Sequence, residues 1–362
     1  MRPGPGAIRL ESGDPDIRTP GAVQEAMAKA ARGPTLGYAD PQGEVALREA
    51  IAASLEARFG RRFGLDHTVV THGATGALMA TILAHIDPGD EVIIPEPSYS
   101  LYGDLVVLAG GRPRFIPQSG PDFRLPLDAI AEAARTAKAI VVCSPCNPTG
   151  AVCDRGELET LAGIAGDNDL TVIVDEAYDR IVYDGRKFTS SLEIPELADR
   201  LVYIQSFSKA FAMTGWRVGY LIAPARLAAP AMRLHWAANG PLGTGVQRAA
   251  IAALSLGEEW FRPVLEEYAQ RRQIVIDGFA RKNIAIHQPE GAFYAFPRHP
   301  ANVTSAEMTA IALEHGVSVR PGSEFGPSGE GYVRIAFSTG GEALRQGVER
   351  LADAFSAAAA QG

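Results

Sequence analysis

The chain has 362 residues, of which 46% are hydrophobic and 21% are charged, and its formal net charge is −8. This length predicts about two domains, and the composition excludes a disordered or fibrous protein. A nucleic-acid surface would need a basic stripe, which the negative charge argues against. No apolar run approaches the roughly 18 residues of a membrane span, so no membrane partner is expected. The first residues lack the apolar stretch of a signal peptide, which predicts a cytoplasmic protein.

The first predicted helix begins at Thr19 and Pro20, a typical N-cap and first-turn pair, and runs to Ala31. We expect this segment to pack on the C-terminal part of the chain. Further along, apolar runs alternate with helical patterns. The predicted strands are 68–71, 91–95, 113–117, 139–143, 171–174, 201–205 and 217–223, and the predicted helices include 75–85, 98–109, 127–137 and 155–166.

Most of these strands are short, continuous apolar runs, as expected of a sheet covered on both faces. The alternation therefore predicts an α/β fold with a mostly parallel, doubly wound, seven-stranded sheet. Its ligand site should lie beyond the carboxyl ends of the strands. A long helix near 257–282 should join this large domain, 40–260, to a smaller α+β domain formed by 1–39 with 275–362. The small domain should contain strands near 291–296, 317–320 and 331–337.

Several common signatures are missing from the sequence. No lysine follows a glycine as a P-loop requires, and there is no H-E-x-x-H zinc motif or G-x-S-x-G nucleophile turn. Cys143 and Cys146 have C-x-x-C spacing, with Cys153 close by, but a structural zinc usually needs four ligands and no histidine is near. We therefore predict no metal site.

Unusual residues follow several predicted strands. Only five of the 34 basic residues are lysines, and Lys209 lies just past strand 201–205, with Arg217 eight residues later. An arginine serves wherever only charge is needed, so a retained lysine suggests amine chemistry. Asp175 follows strand 171–174, and the glycine-containing turn 73–77 offers backbone N–H groups to an anion. Taken singly, the pair Lys209 and Arg217 is equally typical of a solvated loop. An aspartate at the position of Asp175 is equally typical of a helix cap.

Taken together, these residues resemble the class I/II aminotransferases, which are fold-type I enzymes that use pyridoxal 5′-phosphate. The resemblance rests on Lys209 and Arg217 with VIVDEAY at 172–178, NPTG at 147–150 and YVRI at 332–335. Further matches are Tyr38 before Gly43, PSY at 97–99 and GAFY at 291–294, and the similarity runs from LESGDP at 10–15 to the end of the chain.

The resemblance implies a role for each matching residue. Lys209 forms the internal aldimine and moves the proton between the substrate Cα and the cofactor. Asp175 pairs with the pyridinium nitrogen, which makes the ring an electron sink. Tyr178 and Asn147 contact the phenolic oxygen, and Tyr99 stacks on the ring. The residues implied to hold the phosphate are Ala74, Thr75, Ser206, Arg217 and Ser208. For Ser208 the alternative is that it only shapes the turn.

The family pattern also implies a homodimer in which Tyr38 reaches the phosphate of the neighbouring subunit. Arg334, assisted by Asn147 and with Gly13 nearby, binds the substrate α-carboxylate through a two-pronged contact. Arg233 and His235 lie where aspartate-type relatives place a side-chain-binding arginine, but neither is an unambiguous match, so a dicarboxylate substrate is not supported. For Arg320 the default expectation is a surface salt bridge.

The predicted function is transfer of an amino group from an L-amino acid to a 2-oxo acid. The alternative is a lyase, an oxidase or a carbon–carbon bond-forming biosynthetic enzyme on the same scaffold. A cofactor-sensing regulator would need a DNA-binding segment, which the nine residues before Leu10 cannot form.

Overall fold

The computed structural model describes residues 6–33, 37–300 and 302–360. The predicted small domain also includes residues 1–5, 34–36, 301 and 361–362, which lie outside these ranges. The strands are β1 (Ile8–Arg9), β2 (Thr68–Thr71), β3 (Glu91–Glu96), β4 (Arg112–Pro117), β5 (Ala137–Cys143), β6 (Thr171–Asp175), β7 (Leu201–Ser206), β8 (Gly219–Ile222), β9 (Tyr294–Ala295), β10 (Val317–Ser318), β11 (Arg320–Pro321) and β12 (Val333–Ala336). The α-helices are α1 (Gly21–Ala31), α2 (Val45–Phe59), α3 (Gly73–His85), α4 (Leu101–Leu108), α5 (Leu127–Ala134), α6 (Arg155–Asp167), α7 (Phe207–Ala210), α8 (Ala225–Asn239), α9 (Thr244–Leu254), α10 (Glu258–Ala280), α11 (Ser305–Glu314) and α12 (Gly341–Ala359).

A seven-stranded sheet in the order β2–β8–β7–β6–β5–β3–β4 confirms the predicted α/β fold. Strand β8 is antiparallel to both of its neighbours, and the remaining pairs are parallel. Strand β6 explains the continuous apolar runs. Val172 and Val174 belong to one buried cluster and Ile173 to another, because successive side chains point to opposite faces of a covered sheet.

The eighth strand begins two residues later than predicted. Arg217 has a φ of 53° and ends a short 3₁₀ turn at Thr214–Trp216, so its backbone cannot extend the strand. The first residue of β8 is therefore Gly219.

The C-terminal region contains a three-stranded antiparallel sheet, β11–β12–β9, and a parallel pair formed by β1 and β10. Helix α10 occupies the predicted long helical region. Its Phe261 packs in a cluster of the central sheet, whereas Tyr268, Val275 and Phe279 pack in the C-terminal cluster. One helix thus contributes to both cores.

The expected packing of the N-terminal helix is wrong. Helix α1 packs against α9, and its buried Val23 belongs to a cluster of the central sheet. The residues that precede the helix do join the C-terminal region: β1 pairs with β10, Leu10 and Ile17 pack in the C-terminal cluster, and the Asp16 N–H donates to the carbonyl of Ser338. The apolar spacing of Val23, Met27 and Ala30 predicts a helix with one buried stripe. That spacing carries no information about which core the stripe contacts.

Among the residues that the structure describes, no group of histidine, cysteine and acidic side chains could hold a metal ion. No helix in the described ranges is long and apolar enough to cross a membrane. The three cysteines are free and buried.

A buried ion pair ties α2 to the segment after β6. Nη2 of Arg58 donates to Oδ2 of Asp179 over 2.6 Å, and the two side chains are 19% and 1% exposed. Removing one partner of such a pair leaves the other charge buried and uncompensated, which is more costly than loss of the attraction alone.

We therefore expect Arg58→Met to lower the free energy of unfolding by about 3 kcal/mol. Urea unfolding followed by circular dichroism measures the change. The matched control is Arg62→Met, because Arg62 pairs with Glu56 on the surface with exposed fractions of 65% and 47%. That control should stay within about 0.5 kcal/mol of the parent. Equal effects of the two substitutions would contradict the assignment.

Candidate active site

A cavity of about 580 Å³ lies beyond the carboxyl ends of the central strands. It is lined by every predicted site residue except Tyr38: Gly13, Ala74, Thr75, Tyr99, Asn147, Asp175, Tyr178, Ser206, Ser208, Lys209, Arg217 and Arg334. Asp175 is the last residue of β6 and Ser206 the last of β7, and these strands are parallel neighbours. The short helix α7 follows β7 directly and carries Lys209. Sheet topology thus brings residues from distant parts of the sequence together.

The amine of Lys209 is held inside the protein. Its Nζ donates to the carbonyl oxygen of Gly13 over 2.7 Å and lies 5.9 Å from the ring centre of Tyr178. Burial lowers the pKa of Lys209 to about 8, because little solvent remains to stabilise the ammonium form. Asp14 opposes this shift, and Arg334 and Arg217 add to it. A much larger fraction of this amine is neutral near physiological pH than for an exposed lysine.

The carboxyl group of Asp175 is also buried. Burial raises its pKa, while the hydroxyl of Tyr102, the backbone N–H of Ala177 and the charge of Lys209 oppose the rise. The Tyr102 hydroxyl donates to Oδ2 over 2.9 Å, and the Ala177 N–H donates to Oδ1 over 3.1 Å. These donors support the ionised form, which can accept a further bond from a cationic N–H in the cavity.

The N-terminus of α3 lines the cavity together with Ser206, Ser208 and Arg217. We call this group the anion cradle because its N–H, hydroxyl and guanidinium donors suit an anion. The first N–H groups of a helix lack partners within the helix and carry the positive end of its dipole. Gly73 has a φ of 71°, and a Cβ there would lie 2.7 Å from a guanidinium nitrogen of Arg217. Glycine therefore allows the arginine to approach the helix terminus. Arg217 is itself fixed by an Nη1 bond of 2.9 Å to the carbonyl of Thr214.

The guanidinium of Arg334 is a buried cation on the opposite side of the cavity. Nη1 donates to Oδ1 of Asn147 over 3.2 Å, Nη2 donates to the carbonyl of Glu11, and the Nε atom has no partner among the described residues. Its Cζ lies 4.6 Å from the ring centre of Tyr294. Burial lowers the pKa of Arg334, so a negative ligand would relieve the cost of this charge.

Aromatic side chains define the remaining walls. The hydroxyls of Tyr178 and Tyr294 are 2.9 Å apart, and burial raises the pKa of Tyr178 well above its ordinary value. Tyr99 packs edge-on against Tyr102 with ring centres 5.7 Å apart. A Cβ on Gly13 would overlap the Tyr294 hydroxyl, so the close approach of the N-terminal segment requires glycine.

Tyr38 is not brought to this cavity within one chain. Its side chain is 99% exposed and lines a separate depression with Thr244 and Arg248. Its role toward a neighbouring subunit therefore stays a prediction.

Sequence reasoning missed several cavity residues. Tyr102 lies three residues after Tyr99, in the first turn of α4, and its backbone N–H donates to the carbonyl of Tyr99, which precedes the helix. This spacing was the available signal. Glu11 and Asp14 also line the cavity. Both lie in segment 10–15, where the family resemblance begins, but no role was predicted for either of them.

The structure also places the residues whose roles were open. Arg320 forms a 3.0 Å ion pair with Glu324, as expected, and it also lines the cavity. Arg233 is exposed. His235 is fully buried, and its Nε2 accepts the backbone N–H of His72 over 3.2 Å. Burial lowers the pKa of His235 to about 4, so its neutral form supports the residue that precedes α3.

Comparisons with known proteins show which family the chain belongs to. The family model for aminotransferase class I and II matches residues 5–351. The aspartate aminotransferase of Pyrococcus abyssi is 36% identical over 352 residues, which cover 95% of this chain and 90% of that protein. The LL-diaminopimelate aminotransferase of Gloeobacter violaceus is 35% identical over 351 residues, with 95% and 90% covered.

The crystal structure of the aromatic aminotransferase of Pyrococcus horikoshii superposes with a TM-score of 0.93 at 34% identity, and the match covers 97% of this chain and 96% of that one. Sequence and fold therefore agree over nearly the full length. The chain belongs to the class I and II aminotransferase family.

Proposed function

We propose that the protein is a pyridoxal 5′-phosphate-dependent aminotransferase that moves an amino group from an L-amino acid to a 2-oxo acid. The observation that carries the proposal is the buried amine of Lys209, which shares one cavity with the Asp175 carboxylate and an anion cradle at a helix N-terminus. A lysine of lowered pKa in a cleft is suited to covalent and proton-transfer chemistry.

The donor set of the cavity fits this cofactor. The α3 N-terminus with Arg217 suits a phosphate dianion, and Asp175 suits a protonated ring nitrogen. Lys209 would hold the cofactor through its amine, with Tyr99 against the ring face and Asn147 and Tyr178 near the phenolic oxygen. When bound, pyridoxal phosphate supplies a ring that withdraws electrons from the substrate Cα.

The protein's own groups then orient the substrate and move the proton. Arg334 binds the α-carboxylate, with Asn147 holding one edge of the guanidinium. The Nζ of Lys209 accepts the proton from the substrate Cα and then delivers a proton to the cofactor. A pKa near the working pH makes both proton transfers efficient. Asp175 keeps the ring nitrogen protonated. Burial of these charges strengthens each interaction, because little water competes.

We also propose a homodimer in which Tyr38 reaches the cavity of the neighbouring subunit. Support comes from its full exposure beside the exposed Val45, which lines the same depression, since adjoining apolar side chains on a surface mark an interaction site. The cytoplasmic location stays a prediction.

The substrate class is the open part of the proposal. The relatives compared above are named for aspartate, LL-diaminopimelate and aromatic substrates. The substrates in these names share the amino-acid end and differ in the side chain. The proposal is therefore tested with a panel of amino donors.

A single half-reaction separates a transaminase from a lyase or oxidase. Given an amino acid without a 2-oxo acid, the enzyme should accumulate pyridoxamine phosphate with about one equivalent of 2-oxo acid and then stop, because Lys209 exchanges protons without releasing the amino group to water. Absorbance and product analysis measure this. Continuous turnover without an acceptor would identify the alternative.

Borohydride reduction and peptide mapping should label Lys209, and a label on another lysine would refute its role.

The pKa of Lys209 predicts a pH-dependent stability effect in the cofactor-free protein. In the folded protein the pKa of about 8 lies below the ordinary value of 10.5. The buried ammonium therefore lowers the free energy of unfolding fully below pH 8, and this loss disappears as the pH rises through 10.5. Lys209→Met should therefore stabilise the protein at pH 7 by up to about 3 kcal/mol more than at pH 10. Thermal unfolding at both pH values measures this difference. Lys187→Met, at an exposed site, is the control. Its difference in stability from the parent protein should be the same at both pH values.

The role of Asp175 predicts a loss of turnover rather than of substrate binding. Asp175→Ala should lower kcat at least ~100-fold, or ~2.7 kcal/mol, because the carboxylate stabilises charge that develops in the transition state. Tyr102→Phe, which removes one donor to this carboxylate and leaves the charge, should cost less than ~10-fold. Steady-state kinetics on the cofactor-loaded variants compares the two. Near-normal turnover of Asp175→Ala with cofactor bound would exclude the role.

A further inference from the structure

A second cavity of about 570 Å³ shares no lining residue with the active-site cavity. Its walls come from the segment between β4 and α5, the segment around Asp184 to Arg186, helix α10, and the residues that flank β9 and precede β12. The cavity therefore lies where segments attached to the central sheet meet the C-terminal sheet. No part of the proposed reaction uses it.

Four arginines line this cavity, and three of them are paired with carboxylates. Arg124 and Arg186 both donate to the same oxygen, Oε1 of Glu290, over 2.6 Å. Arg272 makes two bonds, of 3.1 Å and 2.8 Å, to the carboxylate of Asp184. Arg298 also lines the cavity, is exposed, and forms no ion pair within the described ranges. One guanidinium is thus uncommitted in a region where two others already share one carboxylate.

An aromatic wall of Phe123, Phe296 and Tyr332 lies beside this uncommitted cation. The rings of Phe296 and Tyr332 stack in parallel, with centres 4.9 Å apart and planes 2° apart. Phe123 meets both edge-on. The Cζ of Arg298 lies 6.0 Å from the ring centre of Tyr332. A charge next to an apolar plane is complementary to a ligand that carries an anion on a flat apolar body.

An imidazole adds an unsatisfied polar atom. The side chain of His287 is 5% exposed, and its Nδ1 lies 3.5 Å from Oδ1 of Asp122. Its Nε2 is buried without a hydrogen-bond partner in the part of the chain described. A buried polar atom without a partner costs free energy, and a bound ligand or its water can satisfy it.

We propose that this cavity is a second ligand site, which takes a small planar carboxylate. The carboxylate pairs with Arg298, and the apolar body lies against the wall formed by Phe123 and Tyr332. A single carboxylate fits better than a phosphate, because the other three guanidinium groups are already engaged with Glu290 and Asp184. A guanidinium group binds a carboxylate through paired N–H donors, so one arginine is enough to hold it.

The site is tested by titrating phenylacetate into the cofactor-loaded enzyme and measuring stoichiometry by calorimetry. We expect two binding events per chain, one in each cavity. Arg334→Ala should remove only the active-site event. Arg298→Ala should weaken only the second event, by at least ~10-fold, and should leave turnover unchanged. Tyr332→Leu should weaken the second event without removing a charge, and the exposed Arg233→Ala is the matched control.

Three results would overturn the proposal. The first is a single event that Arg334→Ala abolishes. The second is wild-type affinity at both sites in Arg298→Ala with its melting temperature unchanged. The third is equal competition by inorganic phosphate and phenylacetate at the second site, since that would mean the aromatic wall contributes nothing. Because none of these readouts depends on transamination, they are separable from a failure of the proposed function.

Discussion

The active-site architecture depends on the burial of two opposite charges at the ends of neighbouring strands. Asp175 ends β6, and Lys209 lies on the short helix that follows β7. Burial disfavours the charged form of both groups, which raises the pKa of one and lowers the pKa of the other. The protein offsets part of this cost with local donors and acceptors: Tyr102 and Ala177 for the carboxylate, and the Gly13 carbonyl for the amine.

Backbone geometry meets the remaining requirement, an anion cradle next to these charges. The helix that begins at Gly73 and the residue Arg217 both need positive φ angles to approach each other. Gly219 is equally constrained, because a Cβ there would lie 2.8 Å from the backbone nitrogen of Ala74. The β2–β8–β7 edge of the sheet is therefore packed so closely against the start of α3 that Gly73 and Gly219 leave no room for a Cβ.

The sequence predicted those features that depend on local pattern or on the end of a strand. Continuous apolar runs located the central strands. Asp175 stood out because a carboxylate directly follows a buried run, and Lys209 because lysine is rare in this chain and this one lies just past a predicted strand. Long-range partners carried no such signal. Glu290 and Arg124 are 166 residues apart, so nothing local suggested the second cavity. Likewise, the stripe on α1 indicated a buried face without indicating its partner, and the expected packing was wrong.

The N-terminal segment places peptide carbonyl groups against the cations of the active site. The carbonyl of Glu11 accepts from Arg334, and that of Gly13 accepts from Lys209. Each carbonyl uses only one N–H of its cation, so the guanidinium and the ammonium both keep further donors that face the cavity. One short stretch of backbone therefore fixes both cations relative to each other. A shift of residues 11–13 would move the donors of Arg334 and Lys209 together.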